Sequence, residues 1–159
     1  MQRYIKIAMV LMVGLFGLYG AFLNIMGAQF EIVEISKVVT GTGTQGVQEW
    51  QKIESPVLVW LSWSVIPLCK FVAGVLCMMG VKNMWQFRKA DNDRFQQAKR
   101  LAITGCGLLL AMLFGVFILV TETWFQQWQT EFGSGILMTA HRYLLSVGIL
   151  MIYIQMEGE

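Results

Sequence analysis

Charged side chains are scarce in this sequence. Asp, Glu, Lys and Arg make up 14% of its 159 residues, whereas the hydrophobic residues make up 56%. A soluble domain usually contains about 25% charged residues, and a domain of this size has too much surface to cover with fewer. The composition therefore excludes most soluble folds and intrinsic disorder, and it indicates a protein that lies in a membrane.

Residues that commonly bind metals, cofactors or nucleic acids are also few. There are three cysteines, Cys69, Cys77 and Cys106, and one histidine, His141. The cysteines lie in apolar runs without the spacing of a zinc site, which favours a role in helix packing. One histidine cannot provide both ligands of a bis-histidine haem, although ligation by His141 and a methionine stays formally open. The sequence therefore predicts no metal site and no cofactor, and the lack of a basic stripe with aromatics argues against a nucleic-acid partner.

Four apolar runs are long enough to cross a bilayer, at residues of about 7–28, 57–81, 101–124 and 136–156. They are continuous rather than alternating, which predicts helices, because lipid leaves no other partner for the backbone. The first run is longer than the apolar core of most signal peptides, so we expect it to stay as a helix; cleavage is the alternative. The predicted fold class is all-α, a four-helix transmembrane bundle forming one domain over residues 1–159.

Lysine and arginine are distributed unequally among the segments between the runs. The N-terminal tail carries two and segment 82–100 carries six, whereas segment 29–56 carries two and the third loop none. Because cytoplasmic loops carry the excess of positive charge, we expect both termini to face the cytoplasm. The predicted location is the bacterial inner membrane, with the first and third loops outside.

The two exterior loops carry amphipathic patterns. Ile32, Ile35 and Val39 recur at helical spacing, which predicts a short interfacial helix in the first loop. Aromatic residues at positions i, i+1, i+4 and i+8 of segment 124–132 predict a second interfacial helix, with a substrate-gating lid as the less favoured interpretation. The expected aromatic anchors at the membrane surface are Trp50, Trp124 and Trp128.

Lys70 is the charge that lies deepest in a predicted span. It follows the start of the second run by about 13 residues, or roughly 20 Å at 1.5 Å per residue. A charge at such a depth costs about 2.5–3.5 kcal/mol on insertion scales, so it needs a partner or a function. Pro67 frees the carbonyl of Trp63 nearby, which suggests a kinked polar pocket for an anionic ligand or a proton. The favoured alternative is structural: a lysine paired with a carbonyl or with the carboxylate of a partner subunit.

Glu122 and Arg142 are expected to meet across the third and fourth spans. The two helices are antiparallel neighbours, and the depths of the two residues differ by only about 6 Å. The sequence therefore predicts an ion pair that locks the hairpin, since an unpaired buried charge is strongly destabilising. His141, beside Arg142, is expected to be a hydrogen-bonded interface residue.

Polar and small residues predict where the helices touch. Asn24, at the outer end of the first span, is expected to form a hydrogen bond across helices. Small residues recur four positions apart and indicate close contact faces. They are Gly17 and Ala21, then Ala98, Ala102 and Cys106, then Ala111 and Gly115.

The sequence resembles a bacterial family of predicted small integral membrane proteins, a domain of unknown function, over essentially the whole chain. The residues that carry the resemblance are Arg3-Tyr4 and Lys6, Phe22-Leu-Asn24, the run from Phe95 to Lys99, Glu122-Thr-Trp124-Phe125-Gln-Gln-Trp128-Gln129, and His141-Arg142-Tyr143. The block from Glu122 to Gln129 is the most specific. The resemblance implies four transmembrane helices in the inner membrane and no known activity. Lys70 departs from the family's pattern, in which this position is more often acidic.

Three functions fit these observations unequally. The favoured hypothesis is an accessory or scaffold subunit of a membrane protein complex, in contact with lipid or quinone. The alternative is a small oligomeric transporter or channel, with Lys70, Glu122 and Arg142 lining the path. An enzyme is least favoured, because no catalytic triad, phosphate loop or carboxylate pair is recognisable. The expected partners are membrane lipids and either other membrane subunits or further copies of this chain.

Overall fold

The computed structural model describes residues 1–156, which form an all-helical bundle. The helices, in chain order, are α1 (Gln2–Met26), α2 (Ala28–Val39), α3 (Pro56–Gln86), α4 (Asn92–Ala98), α5 (Arg100–Met112), a π-helical segment (Leu113–Trp124) and α6 (Glu131–Gln155). Two short 3₁₀ turns lie in the loops, at Glu49–Gln51 and Gln127–Gln129. The last three residues of the predicted domain, 157–159, lie outside the described residues.

Within the described residues, four helical stretches are long and apolar enough to cross a membrane. They are Gln2–Met26, Pro56–Gln86, Asn92–Trp124 and Glu131–Gln155. The predicted all-α fold with four spans is thereby confirmed.

Several helices extend beyond the apolar runs. α3 begins at Pro56, whose missing N–H is not needed in a first helical turn, and it continues to Gln86. α6 begins at Glu131, because the Thr130 hydroxyl accepts a hydrogen bond from the Gly133 N–H at 2.9 Å. Hydropathy locates the part of a helix that lipid surrounds, whereas backbone hydrogen bonds continue until a cap or a break ends them.

α1, α3 and α5 pack side by side in that order, and glycines bring them close together. A Cβ atom on Gly17 of α1 would lie 2.8 Å from the Lys70 carbonyl oxygen, and one on Gly80 of α3 would lie 2.6 Å from the Ala102 nitrogen. The predicted contact role of Gly17 and Ala102 is therefore confirmed. Gly115 has no heavy atom within 4 Å of its Cβ position, so that part of the predicted contact faces lies open.

This order places α1 and α6 at the two ends of an arc, because α6 packs on α5 and on the π-helical segment. The arc is closed near the chain termini, at what we call the Lys6 end. There the Lys6 ammonium donates to the Met156 carbonyl and lies 5.3 Å from the centre of the Tyr153 ring. Farther along, the Phe16 and Tyr143 rings meet with their centroids 4.7 Å apart.

α2 covers the opposite end of the bundle, which we call the Glu31 end. A helix is therefore present where the sequence predicted one in segment 29–56, and its interfacial position stays a prediction. A small second core at this end consists of Val38, Val39, Val59 and Phe125. Glutamines join the two loops: the Gln129 side chain accepts from the Gln45 N–H at 2.8 Å and donates to the Gln45 carbonyl at 3.1 Å.

The continuous helix predicted for segment 124–132 is wrong. Gln126 adopts a left-handed conformation with φ of 51°, a three-residue 3₁₀ turn follows, and Phe132 already belongs to α6. The chain must reverse direction here between two antiparallel helices, which a straight helix cannot do. Phe125 is 2% exposed in the second core and so contributes through burial rather than at the surface.

The three expected tryptophan anchors remain exposed. Trp50 and Trp124 lie edge to face, with ring centroids 5.4 Å apart, and Trp128 lies on the 3₁₀ turn that follows. Their anchoring role at a membrane surface stays a prediction.

Candidate functional site

A cavity of about 680 Å³ lies below α2, between α1, α3, the π-helical segment and α6. Most of its walls are apolar, and among the lining side chains are Phe16, Phe30, Ile66, Met112, Phe117, Phe132 and Ile136. The polar lining residues include Asn24, Glu31, Glu34, Ser62, Lys70, Glu131, Thr139 and Tyr143. The cavity exists because α1 and α6 stand at opposite ends of the arc and do not close upon each other at this level.

Four side chains from three helices form a chain of hydrogen bonds at the edge of the cavity, which we call the Lys70 network. Lys70 Nζ donates to Asn24 Oδ1 at 2.6 Å, and Asn24 Nδ2 donates to Glu31 Oε1 at 2.6 Å. Trp63 Nε1 donates to the other carboxylate oxygen, Glu31 Oε2, at 2.9 Å. The network joins the end of α1, the start of α2 and the first half of α3.

The Lys70 network balances one positive and one negative charge through an amide. Asn24 accepts with its oxygen and donates with its nitrogen, so it suits both ionised neighbours at once. Both oxygens of Glu31 are used. Among the described residues, Asn24 is the only hydrogen-bond acceptor of the Lys70 ammonium, so two of its three N–H groups stay available beside the cavity.

Gly20 makes room for the Lys70 side chain. A Cβ atom on Gly20 would lie 3.4 Å from Lys70 Cδ and 3.8 Å from Lys70 Nζ. The lysine stem therefore runs along the bare side of α1 at this residue. Together with the close approach at Gly17, this lets α3 present an ammonium group to Asn24, one turn farther along α1.

The partner of Lys70 differs from both structural alternatives that the sequence suggested. It is neither a backbone carbonyl nor a carboxylate of another subunit, but an amide side chain of the same chain. Ser62 lines the cavity, whereas the Ser64 hydroxyl donates to the Leu61 carbonyl at 2.8 Å. Pro67 lies inside α3, three residues before Lys70.

The predicted ion pair between Glu122 and Arg142 is wrong. Glu122 Oε2 faces His141 Nε2 at 3.7 Å, while Arg142 is exposed and directs Nη2 to the Met138 sulfur at 3.2 Å. Successive residues on an α-helix point about 100° apart, so His141 and Arg142 cannot both face the π-helical segment. Neither Glu122, His141 nor Arg142 lines the cavity.

Glu122 and His141 form a separate pair whose hydrogen bonding is incomplete. His141 Nδ1 lies 2.8 Å from the Leu137 carbonyl, which requires an N–H at that nitrogen. Nε2 can then donate toward Glu122 only when the ring carries both protons. In the described residues Glu122 Oε2 is buried without a hydrogen-bond partner.

The π-helical segment forms one wall of the cavity. The Thr121 hydroxyl donates to the Val116 carbonyl at 2.9 Å, and the Thr123 hydroxyl donates to the Ile118 carbonyl at 2.9 Å, both five residues back along the chain. π-helical turns are rare and occur frequently at functional sites. Five residues of the segment line the cavity: Leu113, Val116, Phe117, Val120 and Thr121.

Sequence reasoning singled out Lys70 and Asn24, which the structure brings together, but it missed their companions. Glu31 lies next to the apolar position Ile32 in a predicted surface helix, where an acidic residue is ordinary, and Trp63 carried no signal beyond its aromatic ring. One hint was available: Asn24 and Glu31 are seven residues apart, which is close to two helical turns. Gly20 could not be recognised, because its importance depends on which residue of α3 lies opposite.

Four spans with an apolar cavity among them define a polytopic integral membrane protein. Residues 2–157 match the family described as "Predicted small integral membrane protein (DUF2165)", so the chain belongs to that family. The resemblance noted from the sequence is thereby confirmed. No curated protein and no solved structure matches the chain.

Proposed function

We propose that this protein binds a lipid-class amphiphile within the bilayer and acts without a catalytic step. The observation that carries the proposal is the cavity beside the Lys70 network. Its volume of about 680 Å³ falls in the range of small-molecule sites, about 300–1,000 Å³. Apolar walls with a few polar groups at one edge suit a molecule with a long apolar tail and a small polar head.

The proposed route of entry is lateral, between α1 and α6. Two aromatic contacts bound this opening: Phe16 with Tyr143 on one side, and Phe30 of α2 with Phe132 of α6, 6.4 Å apart, on the other. An amphiphile in the surrounding bilayer would reach the cavity there without leaving the apolar phase. Its tail would pass between the two pairs, and its head would face Lys70.

We also infer that the Lys6 end faces the cytoplasm of a bacterial inner membrane. The arginines and lysines of the N-terminal tail and of segment 82–100 support this orientation by the positive-inside rule. α2 would then lie in the outer interfacial layer, with Phe30 and Val33 exposed on its surface. Single cysteines at Thr42 and Asp93 in a chain without its native cysteines would test this, with an impermeant maleimide labelling only Thr42→Cys in intact cells.

A cavity-filling substitution tests the proposed binding. Thr139 lines the cavity and Thr104 does not, although both are exposed helical threonines whose hydroxyls donate to the carbonyl four residues back at 3.0 Å. We expect Thr139→Trp to remove lipid-mass adducts from the native mass spectrum of the protein extracted in mild detergent. Thr104→Trp should keep them. Identical adducts on both variants would contradict the proposal.

The same spectrum tests the roles that the sequence suggested. An accessory or scaffold subunit would travel with larger membrane proteins, and a transporter or channel would travel as a homo-oligomer. A path containing Lys70, Glu122 and Arg142 together is not formed within the described residues of one copy, since only Lys70 lines the cavity. A path between several copies is tested by the homo-oligomer outcome, and the accessory role stays the favoured prediction, in which the subunit binds lipid.

A further inference from the structure

We propose that the head group bound in this cavity is uncharged and carries a carbonyl oxygen that accepts hydrogen bonds from Lys70. This inference rests on the proposed function and specifies its ligand. The chemistry is shared by isoprenoid quinones and by neutral glycerides. Three observations point to it: the hydrogen-bond inventory of Lys70, the charge around it, and the aromatic walls.

The Lys70 ammonium lacks acceptors rather than a counter-charge. Its charge is balanced by Glu31 through the Asn24 amide, with both hydrogen bonds at 2.6 Å. Two N–H groups remain beside the cavity after the bond to Asn24. A carbonyl oxygen has two lone pairs and can accept from such a group without adding a charge.

The other charged groups of the cavity disfavour an anion. Glu31, Glu34 and Glu131 line it together with the single ammonium of Lys70. Glu34 is paired with Lys37, with Nζ and Oε1 2.6 Å apart, so Glu131 supplies the remaining negative charge. An anionic head group would meet an excess of carboxylates around the cavity, which disfavours a further negative charge there.

The walls next to Lys70 fit a flat polar head. Phe16 lies one helical turn before Gly20, the residue along which the Lys70 stem runs. The Phe16 and Tyr143 rings contact each other there, and Phe117 lines the cavity from the π-helical segment. Aromatic rings of this kind stack in offset or edge-on geometry against another planar group.

Binding of defined probes to the purified full-length chain in detergent tests the inference. The probes are decylubiquinone, dioleoylglycerol and the anionic dioleoylphosphatidylglycerol, each titrated at a fixed ratio to detergent and read by native mass spectrometry. We expect at least one of the two uncharged probes to bind, and Lys70→Met to weaken it about tenfold or more. Lys82→Met, at an exposed lysine of the same helix, should change nothing.

A second variant separates hydrogen bonding from charge. The amide of Lys70→Gln keeps two N–H donors but has no positive charge, and its nitrogen stands one bond closer to the backbone than lysine Nζ. We expect Lys70→Gln to retain part of the binding of the uncharged probe that Lys70→Met loses. The melting temperatures of Lys70→Gln and Lys70→Met in the same detergent show whether a loss of binding comes from misfolding.

The outcomes distinguish this inference from the proposed function. Lys70-dependent binding of dioleoylphosphatidylglycerol in place of the uncharged probes would overturn the inference and leave the cavity as a lipid site. Equal binding of the uncharged probes to Lys70→Met and to the unsubstituted chain would also overturn it. If native lipids and all three probes bind equally to Thr139→Trp and to Thr104→Trp, the proposed function itself fails.

Discussion

The two ends of the bundle each hold a lysine away from water, but in different surroundings. Lys6 is 2% exposed, and its ammonium donates to the Met156 carbonyl, to which Lys99 also donates at 3.1 Å. That carbonyl lies just beyond the C-terminus of α6, where the helix dipole favours positive charge. Lys70 instead has one acceptor, Asn24, and its remaining N–H groups stand beside a cavity.

The difference shows why burial of a charge does not by itself identify a site. At the Lys6 end, the Met156 carbonyl and close helix packing satisfy the buried cation, and Lys6 does not line the cavity. At the Glu31 end, the helices of the arc separate, and the cation is satisfied by side chains that leave part of it accessible. We therefore place the proposed binding role on Lys70, which lies beside the cavity, rather than on Lys6. The following predictions test that contrast.

The largest effect is expected where the helices are closest. Gly80→Val would place a side chain 2.6 Å from the Ala102 nitrogen, which is backbone and cannot move aside. Overpacking of this kind costs typically about 1–3 kcal/mol, and we expect the upper end because backbone is involved. Gly135→Val, at the Glu31 end with no heavy atom within 4 Å of its Cβ position, should change the melting temperature in detergent little. Equal decreases in the melting temperature of Gly80→Val and Gly135→Val would show that the helices are packed equally closely at the two positions.

Breaking the amide bridge should have the next largest effect. Asn24→Leu removes the acceptor of Lys70 and one donor of Glu31, and we expect a loss of about 2 kcal/mol in the free energy of unfolding. Adding Lys70→Met should restore part of that loss, because the stranded ammonium is then gone. Chemical unfolding in mixed micelles measures both variants.

The control for this prediction is Asn83→Leu. Asn83 is a half-buried asparagine of α3 whose side chain makes no hydrogen bond within the described residues. Its substitution should therefore have little effect. Strictly additive losses in the Asn24 and Lys70 double variant would show that the two side chains do not act as a pair.

A smaller effect is expected from the glutamine contact between the loops. Gln129→Ala removes both hydrogen bonds to the Gln45 backbone, worth about 1 kcal/mol together, because they are exposed to solvent. We expect faster hydrogen exchange in segment 41–47 with little change near Lys6. Gln86→Ala, at an exposed glutamine of α3, serves as the control and should leave that segment unchanged.

The smallest effect is expected for the Glu122 and His141 pair. Both side chains are partly exposed, and such pairs contribute about 1 kcal/mol or less. Glu122→Gln and His141→Leu should each lower the melting temperature slightly and combine non-additively. Arg142→Gln should have no effect, since Arg142 contacts Met138 rather than Glu122. If instead the substitutions of Glu122 and Arg142 change the melting temperature non-additively, the ion pair that the sequence predicted would be supported.

Much of the fold could be read from single residues and their spacing. The apolar runs located the four spans, and the pattern of Ile32, Ile35 and Val39 located α2. The small residue Gly17 does mark a close helix contact. The helix predicted for segment 124–132 failed because aromatic spacing cannot distinguish a surface helix from a turn that buries one ring, Phe125.

Only part of the candidate site could be predicted from the sequence. Lys70 and Asn24 stood out because polar groups in lipid are costly and need partners. Their connection through Glu31 depends on how α2 folds back over the N-terminal part of α3. The hydrogen bond that Trp63 donates to Glu31 depends on the same arrangement. The π-helical segment carries no recognisable sequence signal, although it builds one wall of the cavity.

The amino-acid sequence by itself determined that this chain is helical and has four segments long and apolar enough to cross a membrane, because apolar segments in lipid must satisfy their backbone groups internally. The tertiary structure alone decided which charges meet and where space remains. A rotation of 100° about a helix axis exchanges His141 for Arg142 as the neighbour of Glu122, and hydropathy does not encode that rotation. The cavity likewise follows from how far α1 and α6 stand apart, which the packing of all the helices between them sets together.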